Sequence, residues 1–373
     1  MGIGQSGLLV MLPQLVHLTG LSLSVWAGLL MFGSMLFLPT SPWWGRQAEQ
    51  KGCKPVVIYA LSGFLLSFGL IALIVWGMAS AVLTYPFGLT GLIISRVIYG
   101  CTVSGMVPAA QTWAMQRAGS DKRMSALATI SSGLSGGRLL GPPLAAMTLN
   151  IHPMAPLWLI AIAPLLALIY IAYQNNDPPL TTAMQQITPV HWTMWPPLML
   201  AVLLAASISL MQLGLAPHLK PLLVDTLRVS QHIATMLSLA AASTLAAQFL
   251  VVRPQRLGAM SLLIIAALML VAGLGLMVSA KLFLIYTGIS VASFGAAMAT
   301  PAYQLLLSMR LSAGKAAGAI ATSHTLGYGL SALLVPLVAV EFGDHALLTG
   351  SLFVAVLFLM LSGWLFMQYK QNL

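Results

Sequence analysis

The sequence predicts an all-α polytopic membrane protein with twelve transmembrane helices, and three observations lead to this fold class. Hydrophobic residues make up 59% of the 373 residues and charged residues only 6%, whereas soluble proteins carry roughly 25% charged residues. Apolar runs of about 20 residues, the length that spans the hydrocarbon core of a bilayer, recur along the whole chain. Several residues of the first half also recur in the second half at a constant offset.

The predicted helices of the first half are apolar stretches separated by short polar or charged segments. Helix 1 has only about 16 residues, or ~24 Å of helix, which is short of a hydrocarbon core of ~30 Å. We therefore expect helix 1 to be incomplete, with a short tilted or interfacial helix as the alternative. Charged segments separate helix 2 from helix 3 and helix 4 from helix 5. Helices 1 to 6 are predicted at 2–16, 22–44, 55–83, 87–115, 124–149 and 156–173.

A polar, proline-bearing stretch follows helix 6 and divides the chain near its middle. Polar residues then separate helix 7 from helix 8, and short basic segments follow helices 8 and 10. A single lysine lies between helices 9 and 10, and two acidic residues precede helix 12. Helices 7 to 12 are predicted at 194–218, 231–252, 257–280, 282–309, 315–340 and 345–369.

An internal repeat relates the two halves at an offset of 193 positions. The matching pairs are Pro108 and Pro301, Gln111 and Gln304, Arg117 and Arg310, and Pro143 and Pro336. Parallel repeats of six helices are a known architecture of secondary transporters. We therefore expect an N-terminal six-helix bundle over 1–173, a cytoplasmic linker over 174–193 and a C-terminal six-helix bundle over 194–373.

The basic residues indicate which loops face the cytoplasm. Of the 16 lysines and arginines, eleven lie in alternate loops or the C-terminal tail, and only three lie on the opposite side. Cytoplasmic loops carry an excess of Lys and Arg, so the first set is predicted to be cytoplasmic. The net charge of +10 therefore reflects topology, and we expect no nucleic-acid partner. The predicted cytoplasmic loops are 45–54, 116–123, 174–193, 253–256 and 310–315.

Three segments carry specific motifs. The loop after helix 2 reads GRQAEQKGCKP over 45–55, helix 4 contains LIISRVIYG over 92–100, and helix 5 contains GLSGGRLLGPPLAA over 133–146. Together they resemble the major facilitator superfamily, with its loop GxLADRxGRKP, its helix-4 pattern LxxxRxxQG and the GxxxGP signature of its exporters. The sequence departs from these patterns at Glu49, where the family has Asp, and at Tyr99, where it has Gln.

The resemblance implies the major facilitator fold and a secondary transporter that works by alternating access. In this family the loop after helix 2 forms a charge relay with neighbouring helix ends, which latches the outward-facing state. The arginine of helix 4 is implicated in proton transfer, and the opening residues 2–7 resemble the middle of the first helix. The residues that match the gating and structural motifs are Gly45, Glu49, Gly52, Lys54, Gly137, Gly141 and Pro142.

Two arginines, Arg96 and Arg138, are predicted to lie inside membrane helices. A charged side chain at mid-bilayer costs roughly 2.5–3.5 kcal/mol, so it normally faces a watery pathway or a partner. All six acidic residues lie in loops or at helix ends, so we expect an electropositive cavity that holds an anionic substrate through guanidinium hydrogen bonds. The alternatives are backbone or helix-end pairing or gating for Arg138, and snorkelling to the interface for Arg96.

Polar side chains in other helices complete the predicted substrate site. His324 of helix 11 is a candidate carrier of the coupling proton, because histidine titrates near neutrality; a hydrogen-bonded packing role is the alternative. The repeat partners Gln111 and Gln304 are expected to line the cavity. The predicted substrate-binding residues are Arg138, Arg96, Gln111, Gln304, Tyr303, His324 and Gln5.

No motif in the sequence resembles a catalytic, metal or cofactor site. There is no phosphate-binding loop, no HExxH, no GxSxG and no cysteine pair with metal-ligand spacing. The only cysteines, Cys53 and Cys101, fall in a predicted cytoplasmic loop and inside a helix, so no disulfide is expected. We therefore expect a non-enzyme without cofactors that uses an ion gradient or the gradient of its substrate.

These observations predict proton-coupled export of a small anionic molecule across the bacterial inner membrane. The segment 104–111 together with 137–142 is similar to carboxylate-siderophore exporters of the superfamily. The expected partners are the anionic substrate, protons and the lipid bilayer, and the expected oligomeric state is a monomer. The alternatives are a multidrug efflux antiporter, an organic-anion importer of the same fold, and a membrane scaffold or sensor without transport activity.

Overall fold

The computed structural model describes residues 1–118, 123–174, 194–223, 225–254, 257–308, 313–342 and 346–371. The described residues form helices and connecting turns, and no β-strand occurs among them. The chain divides into two compact units, Met1–Ile187 and Thr188–Leu373. Most of the predicted linker, 175–193, lies outside the described residues, so the predicted bundle bounds stay predictions.

The described residues of unit 1 form eight helical segments. Two pairs of them, α2 with α3 and α5 with α6, are single membrane-spanning helices that are interrupted at one point. The segments are α1 (Gly2–Thr19), α2 (Leu23–Met35), α3 (Phe37–Lys51), α4 (Cys53–Ala79), α5 (Tyr85–Val103), α6 (Met106–Ala118), α7 (Arg123–Leu149) and α8 (Ala155–Ala172).

The interruption between α5 and α6 follows from the sequence. Pro108 lacks the N–H group that a regular helix would direct at the carbonyl of Ser104, the residue directly after α5. Two side chains of α3 donate hydrogen bonds to carbonyl oxygens in the last turn of α5: Thr40 Oγ1 to Gly100 at 3.1 Å and Trp44 Nε1 to Cys101 at 2.6 Å. The interrupted helix is thus stabilised by its neighbour, since buried carbonyls need donors.

In the part of unit 2 that the structure describes there are six helices and one π-helical turn. The turn, Gln248–Val252, extends the end of the second helix of this unit. The helices are α9 (Trp195–Leu219), α10 (Thr226–Ala247), α11 (Ala259–Met277), α12 (Leu282–Ser308), α13 (Ala313–Phe342) and α14 (Ala346–Gln371).

Each of the twelve predicted helices has a counterpart in the structure. Nine helices of the described part are long and apolar enough to cross a membrane, and Ala319–Val335 within α13 is a shorter apolar stretch. The other two counterparts are α1, which has 18 residues and ends at Gly20 with φ 67°, and α7. The left-handed conformation of Gly20 is the usual way to end a helix at a glycine.

The predicted extent of the loop at 45–54 is wrong. Helix α3 continues through Lys51 and α4 begins at Cys53, so only Gly52, with φ 88°, lies between them. The reason is that Arg, Gln, Ala, Glu and Lys, which fill most of this segment, are strong helix formers. The other predicted loops lie partly outside the described residues, at 119–122, 255–256 and 309–312.

Candidate functional site

Arg96 of α5 is buried inside unit 1, with only 4% of its surface exposed. One guanidinium nitrogen, Nη2, donates a hydrogen bond to Ser67 Oγ of α4 at 3.0 Å. The Ser67 hydroxyl in turn donates a hydrogen bond to the carbonyl oxygen of Ser95 at 2.8 Å. Arg96 therefore does not snorkel to an interface but is held within the helix packing.

Aromatic rings enclose the Arg96 guanidinium. Its central carbon lies 5.2 Å from the ring centre of Phe68 and 4.9 Å from that of Tyr99, so both rings offer cation–π stabilisation. The predicted site residue Gln5 is exposed on α1. Arg96 Nε has no hydrogen-bond partner in the described part of the chain. The structure thus brings Tyr99 and Arg96 together, with the guanidinium of Arg96 only partly hydrogen-bonded.

The motif of predicted helix 5 lies on α7 in the structure, and its glycines form a close contact between α7 and α1. A side chain at Gly141 would overlap Ser6 Oγ and would lie 2.8 Å from the carbonyl oxygen of Ile3. A side chain at Gly137 would lie 3.1 Å from the backbone nitrogen of Ile3. Small residues permit such approach of two backbones in a membrane. The GxxxG spacing of the motif therefore serves to pack α7 on α1.

Arg138 follows Gly137 directly, and its side chain is exposed. It makes no hydrogen bond or ion pair with any residue that the structure describes. Pro142, which is buried, lacks the N–H that would bond the carbonyl of Arg138 in a regular helix. The backbone carbonyl of Arg138 thus lacks the N–H donor that a regular helix supplies, and the Arg138 guanidinium is exposed. Of the two arginines predicted inside helices, only Arg96 is buried by neighbouring side chains.

Lys54 lies near the C-terminal end of the motif at 45–55 and contacts the C-terminal end of α8. Its Nζ donates to the carbonyl of Ala172 at 3.0 Å and also to the carbonyl of Gln174. A cation at a helix C-terminus is stabilised by the helix dipole and by the unpaired carbonyls there. Arg117 at the end of α6 adds a hydrogen bond to Gln174 Oε1 at 3.0 Å. The side chain of Glu49 lies outside what the structure describes, so its predicted part in a charge relay stays a prediction.

Unit 2 brings together two of the predicted site residues, Tyr303 and His324. The hydroxyl of Tyr303 on α12 lies 2.5 Å from Nε2 of His324 on α13. Thr300 Oγ1, one turn earlier on α12, lies 3.0 Å from the same hydroxyl. Tyr303 is fully buried and His324 is half-buried. This chain of polar groups can hold a proton and exchange it between an imidazole nitrogen and hydroxyl oxygens.

The remaining predicted liners are placed separately. Gln111 is half-buried on α6, and Gln304 is half-buried on α12, directly after Tyr303. Sequence reasoning missed Ser67, because a serine in an apolar helix carries no motif that would single it out. It also missed the contact of His232 Nδ1 with the Tyr286 hydroxyl at 2.8 Å, since the two residues are far apart along the chain. The described residues contain no cluster of three or more metal-ligating side chains.

The sequence and the fold of this chain are similar to those of known proteins. The sequence profile described as Major Facilitator Superfamily matches residues 1–332, most of the chain. The chain belongs to the Major Facilitator Superfamily. This membership confirms the predicted resemblance and the predicted fold class, and it makes the chain a multi-pass membrane transporter and not an enzyme.

Curated relatives within this superfamily carry the name multidrug resistance protein MdtG. The protein from Proteus mirabilis (strain HI4320) is 26% identical over 169 residues, which cover 44% of this chain and 39% of that protein. The protein from Salmonella paratyphi A (strain ATCC 9150 / SARB42) is 28% identical over 154 residues, covering 40% of this chain and 35% of that protein. The chain thus matches well under half of the length of these relatives.

Solved structures of other transporters share the fold over nearly the whole chain. The D-xylose-proton symporter has a TM-score of 0.74 and 15% identity, covering 96% of this chain and 95% of that one. The nucleoside transporter NupG has a TM-score of 0.72 and 14% identity, covering 98% of this chain and 96% of that one. At such identities the likeness extends to the fold alone.

Proposed function

We propose that this transporter exports a small organic anion, such as a carboxylate siderophore, in exchange for protons. The observation that carries the proposal is the exposed guanidinium of Arg138, which lies inside the membrane helix α7 without a partner among the described residues. An unpaired cation in a membrane segment is costly unless water or an anionic ligand reaches it. The planar guanidinium binds a carboxylate through two parallel hydrogen bonds, which favours a carboxylate substrate.

Arg96 supports the same substrate class in a different way. It is a permanent positive charge, buried between a serine and two aromatic rings, with no carboxylate among its described contacts. Hydroxyl and ring contacts leave its charge uncompensated, so unit 1 has a positive potential in its helical core. Such a potential raises the local concentration of anions and disfavours cations. We assign Arg96 to setting this potential and Arg138 to contacting the substrate.

Coupling to protons is assigned to the Tyr303–His324 pair. Histidine is the side chain whose charge ordinarily changes between pH 5 and 8, and the Tyr303 hydroxyl lies within hydrogen-bond distance of its Nε2. When His324 is neutral, Nε2 can accept the hydroxyl proton; when it is protonated, the hydroxyl oxygen accepts instead. The hydroxyl can therefore serve both protonation states by rotating, with Thr300 as its second partner.

Multidrug efflux is the second candidate, because the curated relatives are named multidrug resistance proteins. Broad efflux of cationic or neutral compounds would assign no substrate contact to Arg138. We further propose that the chain acts as a monomer in the bacterial inner membrane. The cytoplasmic side would hold the ends of α3 and α6 that contain Lys51 and Arg117, and the end of α8, which Gln174 follows, in accordance with the positive-inside bias.

Transport into inside-out vesicles with an imposed pH gradient tests the proposal. The assay compares a citrate-type siderophore with a cationic dye, in the unchanged protein and in Arg138→Ala. We expect gradient-driven uptake of the anion, reduced at least tenfold in Arg138→Ala. The matched control is Arg228→Ala, which removes an exposed arginine from the first turn of α10 and should leave uptake unchanged. Uptake of the dye alone, equal in both arginine variants, would overturn anion export in favour of multidrug efflux.

A further inference from the structure

A groove between α3 and α4 takes no part in the proposed transport. It has a volume of about 230 Å³ and lies beside the turn at Gly52. Because it is lined by both aromatic and polar side chains, we propose that this groove, the α3–α4 groove, binds one anionic phospholipid, with its headgroup phosphate at Lys51. The residues of the groove on which the proposal rests are Trp43, Trp44, Gln47, Lys51 and Tyr59.

The position of the groove along the helices is that of a membrane interface. Both Leu23–Ala48 and Cys53–Ala79 are membrane-spanning segments, and the turn at Gly52 joins them. Trp43 lies eight residues before Lys51, which is about 12 Å along a helix. The groove therefore extends from the polar end of the two helices toward the apolar layer. This is the depth at which Trp and Tyr are enriched in membrane proteins.

The aromatic walls of the groove differ in how firmly they are held. Trp44 is buried, and its Nε1 donates a hydrogen bond of 2.6 Å to the carbonyl of Cys101. Trp43 packs edge-on against Trp44 with ring centres 4.6 Å apart, and Tyr59 lies 6.1 Å from Trp44. Trp43 and Tyr59 nevertheless stay 51% and 59% exposed. A fixed inner ring with two exposed outer rings provides apolar surface for the start of an acyl chain.

The polar end of the groove complements a phosphate. Lys51 is exposed and makes no hydrogen bond or ion pair with the side chains that the structure describes. Gln47, one helical turn earlier, lines the same groove. An ammonium and an amide group both donate hydrogen bonds, and a lysine near the bilayer surface attracts anionic lipid. The Lys51 ammonium favours an anionic headgroup, and the aromatic walls favour an acyl chain. A phospholipid with an anionic headgroup provides both.

Native mass spectrometry of the full chain in detergent tests this site, with phosphatidylglycerol and phosphatidylcholine titrated separately. We expect one phosphatidylglycerol to be retained per protein and phosphatidylcholine to be bound more weakly. Lys51→Gln should weaken phosphatidylglycerol binding about fivefold, the contribution of one lysine at a bilayer surface. Lys51→Arg should keep it, because the charge and the donors remain. Trp43→Ala should also weaken it.

Lys281→Gln is the matched control for the loss of charge. Lys281 is an exposed lysine near the exposed ring of Phe283, but it does not line the groove. Binding should be unaffected in this variant. Equal losses in Lys51→Gln and Lys281→Gln would overturn the proposal, since they would indicate attraction by net charge. Equal retention of the two lipids, or full binding by Trp43→Ala, would overturn it as well. Gel filtration of each variant verifies that the protein is folded.

Discussion

The Tyr303 hydroxyl lies 2.5 Å from His324 Nε2 and so connects α12 to α13 within the membrane part of unit 2. The two rings are nearly perpendicular, with an interplanar angle of 85°. Thr300 is a further partner of the hydroxyl at 3.0 Å. This geometry makes Tyr303 the residue that orients the imidazole, and it makes His324 the group whose charge the pair can change.

Replacing His324 by Asn tests whether this pair couples transport to protons. Asn is polar and of similar size, but it does not titrate between pH 5 and 8. We expect anion efflux by the variant to lose its dependence on the pH gradient while binding of the anion is kept. The measurement is vesicle uptake between pH 5.5 and pH 8, using about half-unit steps. Tyr303→Phe serves as the comparison and should shift the pH profile without abolishing it. An Asn variant with an unchanged pH dependence would exclude His324 as the proton carrier.

The contact of α7 with α1 predicts different effects for two glycines of the same helix. Gly141→Ala should destabilise the protein by about 1–3 kcal/mol, because the added methyl group overlaps Ser6 and approaches the backbone of Ile3. Gly133→Ala should be neutral or stabilising by about 0.5–1 kcal/mol, because no atom lies within 4 Å of its added methyl group. Thermal unfolding in detergent measures both. Equal melting temperatures for the two variants would contradict the close contact.

The Arg96 cluster predicts that its serine partner is needed for stability. Ser67→Ala removes the acceptor of the Arg96 guanidinium, and a hydrogen bond to a charged group is worth about 1.5–3 kcal/mol. We expect a lower melting temperature with some transport retained. Arg96→Lys should reduce stability more severely than transport, because an ammonium keeps the positive charge but lacks the planar face that the two rings contact. Ser80→Ala, at an exposed helix end, is the control and should melt normally.

The Lys54 contact predicts a stability effect that depends on salt. Lys54→Gln removes the cation from the C-terminal end of α8, which should cost about 0.3–1 kcal/mol at low ionic strength. Lys54→Arg should retain the effect, since the charge and donors remain near the carbonyl of Ala172. The melting temperatures of both variants would be compared at low and high salt. A difference that persists at high salt would assign the role of Lys54 to packing and not to charge.

Much of the fold could be predicted from the sequence because membrane helices are specified locally. A run of apolar residues must form a helix in the bilayer, since its backbone groups have no water to bind. Apolar runs of spanning length, separated by polar or charged segments, therefore predict the twelve helices. The predicted loop at 45–54 is too long because the helix-forming residues between its glycines continue α3 to Lys51.

The candidate site could be predicted only as a set of residue types. The motifs of predicted helices 4 and 5 singled out Arg96 and Arg138. Neither motif indicates that Arg96 hydrogen-bonds Ser67 or that the Arg138 side chain is exposed. The titration range of histidine pointed to His324. Its pairing with Tyr303 depends on how α12 lies against α13, which no local pattern reports.

The sequence by itself determined that this protein is a helical membrane transporter, which residues cross the membrane and which superfamily it resembles. These properties depend on the length of apolar runs, the placement of charges and the order of motif residues, all of which are local. Only the tertiary structure decided that Gly141 meets Ile3, that Trp44 caps the end of α5 and that Arg96 is enclosed by rings. Those contacts join residues far apart in the chain, and they depend on which helix faces pack together.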